Sequence, residues 1–275
     1  MANVDPASDE TGVELLFSET ELEARREHII EFIERTVGEA GANGAVIGLS
    51  GGIDSTTVAY LAVEALGSDA VHGLLMPSSV NPDADESDAE RVANALGIEY
   101  DVIEINPIVD AFVDAAPTHA AEDRMALGNV RVRTRGVLNY FVANAEGRIV
   151  LGTGNRSEAM TGYFTKYGDQ AVDCNPIGNL YKCQVRQLAR DLGVPEDLVT
   201  RTPTAAMWEG QTDEEEMGLS YDDLDAILAL HIDGPLSKFA TVRTLDVPER
   251  AVDRVVELCE TSAHKRAMPP APEPL

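Results

Sequence analysis

Cysteine, aromatic residues and lysine are all scarce in this chain of 275 residues. The three cysteines form no Cys-x-x-Cys pair and their count is odd, which indicates buried or idle thiols in a reducing cytoplasm. No apolar run is long enough to span a membrane. The first ten residues are acidic and lack an apolar stretch, so we expect neither a signal peptide nor a transit peptide. The composition therefore predicts a cytoplasmic globular protein without a membrane partner.

Positive charge is also scarce. Asp and Glu total 48 against 21 Lys and Arg, which gives a net charge of −27. Because DNA and RNA are bound through basic patches, we expect no nucleic-acid partner. The acids are spread along the chain rather than gathered in a tail, which indicates a surface suited to a high-salt interior. Where surface lysine has nearly vanished, each remaining lysine becomes a candidate for a specific role. The lysines are Lys166, Lys182, Lys238 and Lys265.

The most informative motif is the segment Ser50–Ser55, with the sequence Ser-Gly-Gly-Ile-Asp-Ser. An apolar strand pattern precedes it and apolar residues at helical spacing follow it, which predicts a strand, a tight turn and a helix N-terminus. Gly51 and Gly52 let a ligand approach the backbone closely, and N–H groups at a helix start bind phosphate. Asp54 suits this anion site only if a cation such as Mg²⁺ lies between them. The alternative is an ordinary turn with Asp54 as a helix cap.

Strand and helix patterns alternate along the chain. This alternation predicts an α/β fold with a doubly wound, mostly parallel sheet and helices on both faces. We expect a single domain over residues 1–275, with an acidic N-terminal extension at 1–20 and a proline-rich tail at 267–275. The predicted strands are 45–49, 71–77, 99–105 and 148–152. The predicted helices are 15–37, 56–66, 86–96, 107–116, 129–145, 184–192, 221–230 and 247–263.

A second group of polar residues follows the fourth predicted strand. In a parallel sheet this loop emerges at the same edge as Ser50–Ser55. Glu158 is therefore a candidate second carboxylate for the metal that Asp54 implies, although a solvated glutamate at a helix start is the alternative. Lys166 lies between two aromatic residues, which is a poor setting for a merely solubilising lysine. Lys182 follows a turn and can act as a point charge on a phosphate.

The segment Ser50–Ser55 resembles the pyrophosphate loop of the ATP pyrophosphatases, which cleave ATP to AMP and pyrophosphate. A Walker loop is excluded because no Gly-Lys-Ser/Thr follows the glycines. From about Leu22 to Arg266 the chain is similar to the ammonia-dependent NAD synthetases of that family, which implies an adenine nucleotide alpha-hydrolase-like fold. Residues 158–173, with their core Thr-Gly-Tyr-Phe-Thr-Lys-Tyr-Gly-Asp, carry the most specific likeness. The other matching segments are 129–135, 176–182, 203–204, 210–221 and 264–265.

The resemblance assigns roles to individual residues. It implies ATP contacts from Gly48, Leu49, Ser50, Gly51, Gly52, Ile53, Asp54, Ser55, Thr153, Lys182 and Thr204. It implies deamido-NAD contacts from Arg133, Lys166, Asp173, His264 and Lys265. It also implies magnesium on Asp54 and Glu158, and catalytic roles for Asp54 and Lys182. The acidic stretch 213–216 matches the family too, but we expect it to be mainly a solvated loop.

The implied reaction is the last step of NAD synthesis. ATP adenylates the nicotinate carboxylate of deamido-NAD with release of pyrophosphate, and ammonia then displaces AMP. The resemblance implies Mg²⁺ as cofactor, ATP as co-substrate and a homodimer with its active sites at the interface. No cysteine has an evident His and acid partner for glutamine hydrolysis, so free ammonia is the expected nitrogen donor.

Two other functions remain open at this point. Another pyrophosphate-loop enzyme, either GMP synthetase-like or tRNA-modifying, shares the first motif. A tRNA thiolase needs a reactive cysteine pair and a basic surface, and a GMP synthetase leaves residues 161–173 unexplained. A nucleotide-binding regulator without catalysis is the second alternative, which the presence of Asp54, Glu158 and Lys182 argues against. Turnover of ATP to AMP distinguishes an enzyme from such a regulator.

The acidic composition generates a prediction about salt. At 0.1 M salt the screening length of roughly 10 Å still spans neighbouring carboxylates, so their repulsion opposes the compact state. We expect the melting temperature and the activity to rise between 0.1 and 3 M potassium chloride and to fall reversibly on dilution. Thermal melts across this range measure the effect. A melting temperature that stays flat or falls would show that the charge of −27 has little energetic consequence.

Overall fold

Four parallel strands form the central sheet in the computed structural model, which describes residues 14–77, 84–204 and 211–272. Their order across the sheet is β3-β2-β1-β4, and every neighbouring pair is parallel. The strand order reverses between β1 and β4, and ligands bind beyond the carboxyl ends of strands at such a switch point. The strands are β1 Ala45–Gly48, β2 Val71–Leu75, β3 Glu99–Val102 and β4 Ile149–Leu151.

Helices make up most of the remaining described residues. A 3₁₀ turn covers Ser68–Ala70 and a π-helical turn covers Leu228–Ile232. The α-helices are α1 Glu19–Glu39, α2 Ile53–Leu66, α3 Ala84–Leu96, α4 Asn106–Ala115, α5 Thr118–Ala121, α6 Arg124–Glu146, α7 Arg156–Thr161, α8 Lys182–Asp191, α9 Glu196–Val199, α10 Asp213–Met217, α11 Tyr221–Ile227, α12 Lys238–Leu245, α13 Glu249–Thr261 and α14 Ala263–Arg266.

The two faces of β1 bury side chains in different cores. Ala45 and Ile47 pack into one core with residues of α1, α2, α3 and α8. Val46, between them, belongs to the opposite core with Val109 of α4 and Ala143 of α6. This follows from the alternation of side chains along a strand, and it makes every residue of β1 apolar or glycine. The predicted parallel sheet with helices on both faces is confirmed.

A third apolar core lies among the C-terminal helices. It joins residues of α10, α11, α12 and α13, including the fully buried Tyr221, Leu224, Val252 and Val255. Partly buried Met160 and Tyr163 pack against it from α7 and the loop that follows. The C-terminal helices are thereby held beside the loop that leaves β4.

Several predicted helix boundaries are wrong, and local chemistry explains the differences. The first helix begins at Glu19 rather than at residue 15, because Ser18 and Glu21 form a capping box. The last predicted helix, 247–263, begins instead at Glu249, because the proline at 248 disfavours the helical conformation for Val247 before it. The sequence analysis missed α7 and α12, which start after capping side chains of Asn155 and Ser237.

Some predictions fall partly outside the described residues. Residues 1–13 of the expected acidic extension and 273–275 of the expected proline-rich tail are among these, and the single-domain assignment over 1–275 stays a prediction. Within the described ranges, no helix combines the length and the apolar character needed to cross a bilayer.

Two glycines offer a matched test of the packing at the start of β1. Gly44 has φ +153°, and a Cβ there would lie 2.0 Å from the carbonyl oxygen of Ala70. Gly38 lies inside α1, with nothing within 4 Å of an added Cβ. We expect Gly44→Ala to lower the free energy of unfolding by about 1–3 kcal/mol or more. Gly38→Ala should raise it by about 0.5–1 kcal/mol. Urea denaturation of both variants measures these changes, and equal effects would contradict the packing described for Gly44.

Candidate active site

The loop between β1 and α2 is held in shape by its own side chains. Ser55 Oγ accepts from the Ser50 N–H at 3.2 Å and lies 3.0 Å from Ser50 Oγ. Ser50 Oγ also accepts from the Gly52 N–H at 3.2 Å. Gly51 has φ +78°, a backbone conformation that favours glycine. Gly52 is the N-cap of α2, so the predicted sequence of strand, glycine turn and helix N-terminus is confirmed, with the helix starting at Ile53.

A buried lysine joins the two predicted metal ligands. Lys182 Nζ, on a side chain only 2% exposed, lies 2.5 Å from Asp54 Oδ2 and 3.2 Å from Glu158 Oε1. Asp54 comes from the first turn of α2, Glu158 from α7 and Lys182 from the start of α8. The structure therefore brings together three residues that are up to 128 positions apart in the chain.

The ionisation of this group depends on burial and on the neighbouring charges. Burial lowers the pKa of Lys182, but Asp54 and Glu158 more than offset this effect, so its pKa lies above the usual range. Burial raises the pKa of Glu158 to about 8; Lys182 opposes the change, while Asp54 and Asp213 add to it. The ammonium is thus firmly protonated, and it faces more carboxylates than it can neutralise.

The expectation of a mainly solvated loop at 213–216 is wrong, because these residues form the first four positions of α10 and the side chain of Asp213 is buried. This side chain is only 4% exposed, and its carboxylate accepts from the hydroxyl of Tyr221 at 3.0 Å. The ring of Tyr221 lies beneath Lys182 Nζ, 5.1 Å from the ring centroid. A run of four acidic residues is typical of a solvent-exposed surface, and only the packing of α10 against α11 distinguishes Asp213 from the exposed Glu215.

Asn155 was missed by the sequence analysis. Its side-chain Nδ2 donates to Asp54 Oδ1 at 2.9 Å, and its side-chain Oδ1 accepts from the N–H of Glu158 at 3.0 Å. It therefore caps α7 and orients a carboxylate on α2 at the same time. The spacing Asn-x-x-Glu at the end of β4 is a helix-start signal that could have identified α7.

A cavity of about 630 Å³ opens at the carboxyl ends of the strands. Besides the predicted residues, Asn129, Arg135 and Asp213 also line it. Gly51, Arg133, Lys166, Asp173 and His264 do not contribute to its wall. The predicted site residues that do are Gly48, Leu49, Ser50, Gly52, Ile53, Asp54, Ser55, Thr153, Glu158, Lys182, Thr204 and Lys265.

A second group of predicted residues joins helix α14 to the loop after α7. Arg133 donates to the carbonyl oxygen of Lys166 from Nε at 3.3 Å and from Nη2 at 3.2 Å. Lys166 Nζ in turn donates to the carbonyl oxygen of His264 at 2.5 Å. Lys265 Nζ donates to the carbonyl oxygens of Gly162 and Phe164, at 2.8 and 3.0 Å. Four of the five residues assigned to deamido-NAD are thus connected through these contacts.

Asp173 lies apart from that group. One of its carboxylate oxygens accepts from the N–H of Val150 in β4 at 2.7 Å, and the other accepts from the hydroxyl of Tyr140 at 3.1 Å. Both oxygens have partners in the protein, although the side chain is exposed. Its assignment to the substrate stays a prediction.

Asp54 and Glu158 have the chemistry that a magnesium ion needs. They provide carboxylate oxygens, and both contact one ammonium group, so they are close in space. With Asp213 nearby, the excess negative charge is one that a divalent cation would balance. In the described part of the chain, no group of three or more His, Cys, Asp or Glu side chains could hold a metal ion by itself. Phosphate oxygens and water would have to supply the remaining ligands.

Comparisons of sequence and structure match this chain to NAD synthetases and to an NMN synthetase. The NAD synthase family model matches residues 26–269. A Halobacterium salinarum relative named NH(3)-dependent NAD(+) synthetase is 62% identical over 260 residues, covering 94% of this chain and 97% of the relative. An NMN synthetase structure from Francisella tularensis has a TM-score of 0.80 and 35% identity, covering 93% of this chain and 99% of its own. An NH3-dependent NAD synthetase structure from Campylobacter jejuni has a TM-score of 0.77 and 33% identity, with 92% and 99% coverage.

The charge balance around Lys182 generates a prediction about pH. In Lys182→Met no cation faces Glu158, whose pKa is already raised in the folded state. The unfolded state then loses this proton at lower pH than the folded state, so stability falls as pH rises towards and through the folded pKa. We expect a loss of about 3–5 kcal/mol at pH 9 and a smaller loss at pH 6.

Lys238→Met is the matched control for this measurement. Lys238 forms ion pairs with Glu249 and Asp253 at the surface, where solvent screens them. Urea denaturation at pH 6, 7.5 and 9 should therefore show little change for this variant. A loss in Lys182→Met that did not depend on pH would contradict the electrostatic explanation.

Proposed function

The chain belongs to the NAD synthase family, and from this premise we propose a division of labour among its residues in ammonia-dependent NAD synthesis. The observation that carries the proposal is the buried Lys182 ammonium, which contacts both Asp54 and Glu158. Asp54 itself belongs to the glycine-containing segment Ser50–Ser55. The family match over residues 26–269 includes the segment 161–173, which the alternative pyrophosphate-loop enzymes left unexplained. The intact carboxylates and lysine argue equally against an inactive regulator.

The loop 48–55 binds the phosphates of ATP in this proposal. The first N–H groups of α2 have no partners inside the helix, and Ile53, Asp54 and Ser55 at this positive end of the helix dipole line the cavity. The bonds among Ser50, Gly52 and Ser55 fix the loop before the nucleotide arrives, so little ordering is left for the binding step. Thr153 and Thr204 border the same cavity and supply further polar contacts to ATP.

Lys182 stabilises the charge that builds on the leaving pyrophosphate. Its side chain is almost completely buried. An electrostatic contact is stronger in such surroundings than in water. Asp54, Glu158 and Asp213 keep it protonated, so it is ready to face an anion. Mg²⁺ held by Asp54 and Glu158 would supply Lewis-acid charge neutralisation of the phosphates. The protein otherwise works by aligning the nicotinate carboxylate with the α-phosphorus of ATP.

Deamido-NAD is assigned to the group around Lys166. Arg133, Lys166, His264 and Lys265 are linked by hydrogen bonds that run from α6 through the loop after α7 to the C-terminal residues. Three of these side chains are cationic, which suits a dinucleotide pyrophosphate. The Lys166 ammonium, held at 2.5 Å by a carbonyl oxygen, can exchange this neutral partner for a charged one when substrate binds.

The cysteines support ammonia as the nitrogen donor. Glutamine hydrolysis through a cysteine requires the thiolate form of that residue as the nucleophile. Burial raises the pKa of Cys174 to about 11, and burial together with Asp225 raises the pKa of Cys183 still further. Burial also raises the pKa of Cys259, although Arg266 opposes this change. All three thiols are therefore poor nucleophiles at neutral pH.

We also propose a cytoplasmic homodimer that binds neither nucleic acid nor membranes. Val137 and Phe141 lie one turn apart on α6 with 67% and 73% of their surface exposed, and Phe112 of neighbouring α4 is 54% exposed. Grouped apolar side chains of this size mark protein interfaces. Asn129 and Arg135 on the same helix line the cavity, so a partner on α6 would lie beside the active site. The free cysteines suit a reducing compartment.

The test of the proposed function is a reaction with purified protein, Mg-ATP, deamido-NAD and ammonium. We expect NAD, AMP and pyrophosphate in equal amounts, no turnover with EDTA, and almost none when ammonia-free glutamine replaces ammonium. Chromatography of the nucleotides measures all products. Comparable rates with ammonia-free glutamine would contradict the nitrogen source, and absence of NAD under every condition would contradict the function.

Lys166→Ala tests the separation between the two substrate sites. Loss of a hydrogen bond to a charged group costs about 1.5–3 kcal/mol, so the KM for deamido-NAD should rise roughly 10- to 150-fold while that for ATP changes little. Steady-state kinetics with each substrate varied in turn measure both constants. Lys238→Ala, at the distant surface pair, is the control. Equal increases for ATP and deamido-NAD in Lys166→Ala would indicate a folding role instead.

A further inference from the structure

Asp225 is a buried carboxylate that the mechanism so far does not use. It lies on α11 with no exposed surface. Its Oδ1 accepts from Ser157 Oγ at 2.5 Å, and its Oδ2 accepts from the N–H of Cys183 at 2.8 Å. Ser157 precedes Glu158 in α7, and Cys183 follows Lys182 in α8. Each bond therefore ends one residue away from a functional side chain.

A third hydrogen bond closes this network. Ser157 Oγ accepts from the N–H of Lys182 at 3.0 Å. The serine hydroxyl bridges the first turns of α7 and α8, and its proton is directed to Asp225. The N–H groups of Lys182 and Cys183 belong to the first turn of α8, where the helix itself offers no acceptor. The negative charge of Asp225 also lies at the positive end of the α8 dipole.

We propose that Asp225 is a positioning residue for the reaction, holding α7 and α8 together so that Glu158 and Lys182 keep one geometry. This inference rests on the proposed roles of Glu158 and Lys182 in catalysis. The carboxylate itself does not touch substrate; it acts through Ser157 and through the backbone of α8.

The chemistry of the site requires a carboxylate rather than an amide. Three donors face Asp225, namely the Ser157 hydroxyl, the Cys183 N–H and the Cys183 thiol, and the first two bind different carboxylate oxygens. An asparagine has one acceptor oxygen, so its NH2 group would face one of these donors. A buried donor without a partner is costly, and the two helices are expected to separate slightly to relieve the conflict.

The position of Asp225 on α11 supports this role. Tyr221 lies one turn earlier on the same face of the helix, and its ring packs beneath Lys182 Nζ while its hydroxyl binds Asp213. One face of α11 thus contacts Lys182 from below and holds the backbone at the start of α8. A sub-ångström displacement there moves the ammonium relative to Asp54, and small misplacements of catalytic groups are expensive in rate.

The low lysine content makes the test direct, because the chain has only four lysines and their signals can be assigned by substitution. Protein labelled with ¹³C at lysine Cε is compared by NMR as wild type, Asp225→Asn and Ser157→Ala. Asp222→Asn, an exposed aspartate on the same helix, is the matched control. We expect the Lys182 signal to shift in both network variants, with Lys238 unchanged, and neither signal to move in the control.

Kinetics of the same proteins provide the second readout. In Asp225→Asn and Ser157→Ala we expect kcat for pyrophosphate release to fall about 10- to 100-fold, with the KM for deamido-NAD unchanged. The double variant should be no worse than the poorer single variant, because both changes break one network.

The outcomes separate this inference from the proposed function. If wild type makes no NAD, the proposed function fails, yet the lysine spectra still report whether Asp225 positions Lys182. If Asp225→Asn does not fold, Ser157→Ala carries the test alone. An unmoved Lys182 signal in a folded network variant would overturn the inference. So would a loss of kcat accompanied by an equal rise in the KM for deamido-NAD.

Discussion

The structure around the cavity depends on one buried positive charge. Removing an ammonium group from water is costly unless carboxylates and hydrogen bonds compensate, so the position of Lys182 constrains everything that faces it. Its ammonium contacts Asp54 of α2 and Glu158 of α7. The ring of Tyr221 in α11 packs against the same ammonium, and the hydroxyl of Tyr221 binds Asp213 of α10. These elements come from both sides of the switch point between β1 and β4. The charge cluster therefore ties the sheet to the C-terminal helices at the place where ligands bind in such folds.

The same cluster explains how a strongly acidic protein can act on anionic substrates. A net charge of −27 offers no long-range attraction for ATP or a dinucleotide. Binding must come from short contacts, and these are the ones that salt screens least. Three of the four lysines lie in or beside the site, whereas Lys238 forms exposed pairs on α12. Lysine, unlike arginine, is thus found mainly where it makes short contacts in or beside the cavity.

Much of the fold and part of the site could be predicted from the sequence. The apolar runs that became β1 to β4 carry the pattern of buried strands, and the glycines after β1 indicate a tight turn before a helix. The starts of some helices could not be predicted, because Asn and Ser are common both in loops and as helix caps. Asn155 and Ser237 are caps of this kind. The acidic neighbours of Asp213 predict exposure to solvent, and no local signal marks Asp225 as buried. Neither aspartate differs in local pattern from the exposed acids around it.

The sequence by itself determined the order of the strands and of most longer helices, the glycine turn after β1 and the chemical types available for the reaction. These follow from periodicity, glycine and charge, which act over a few residues. Only the tertiary structure decided which acids are buried, that Lys182 contacts both Asp54 and Glu158, and that Asp225 joins α7 to α8. The reason is physical: the energy of a charge depends on its distance to other charges and on its removal from water. Both quantities are set by residues that lie between 24 and 128 positions away in these contacts, through packing that no local pattern encodes.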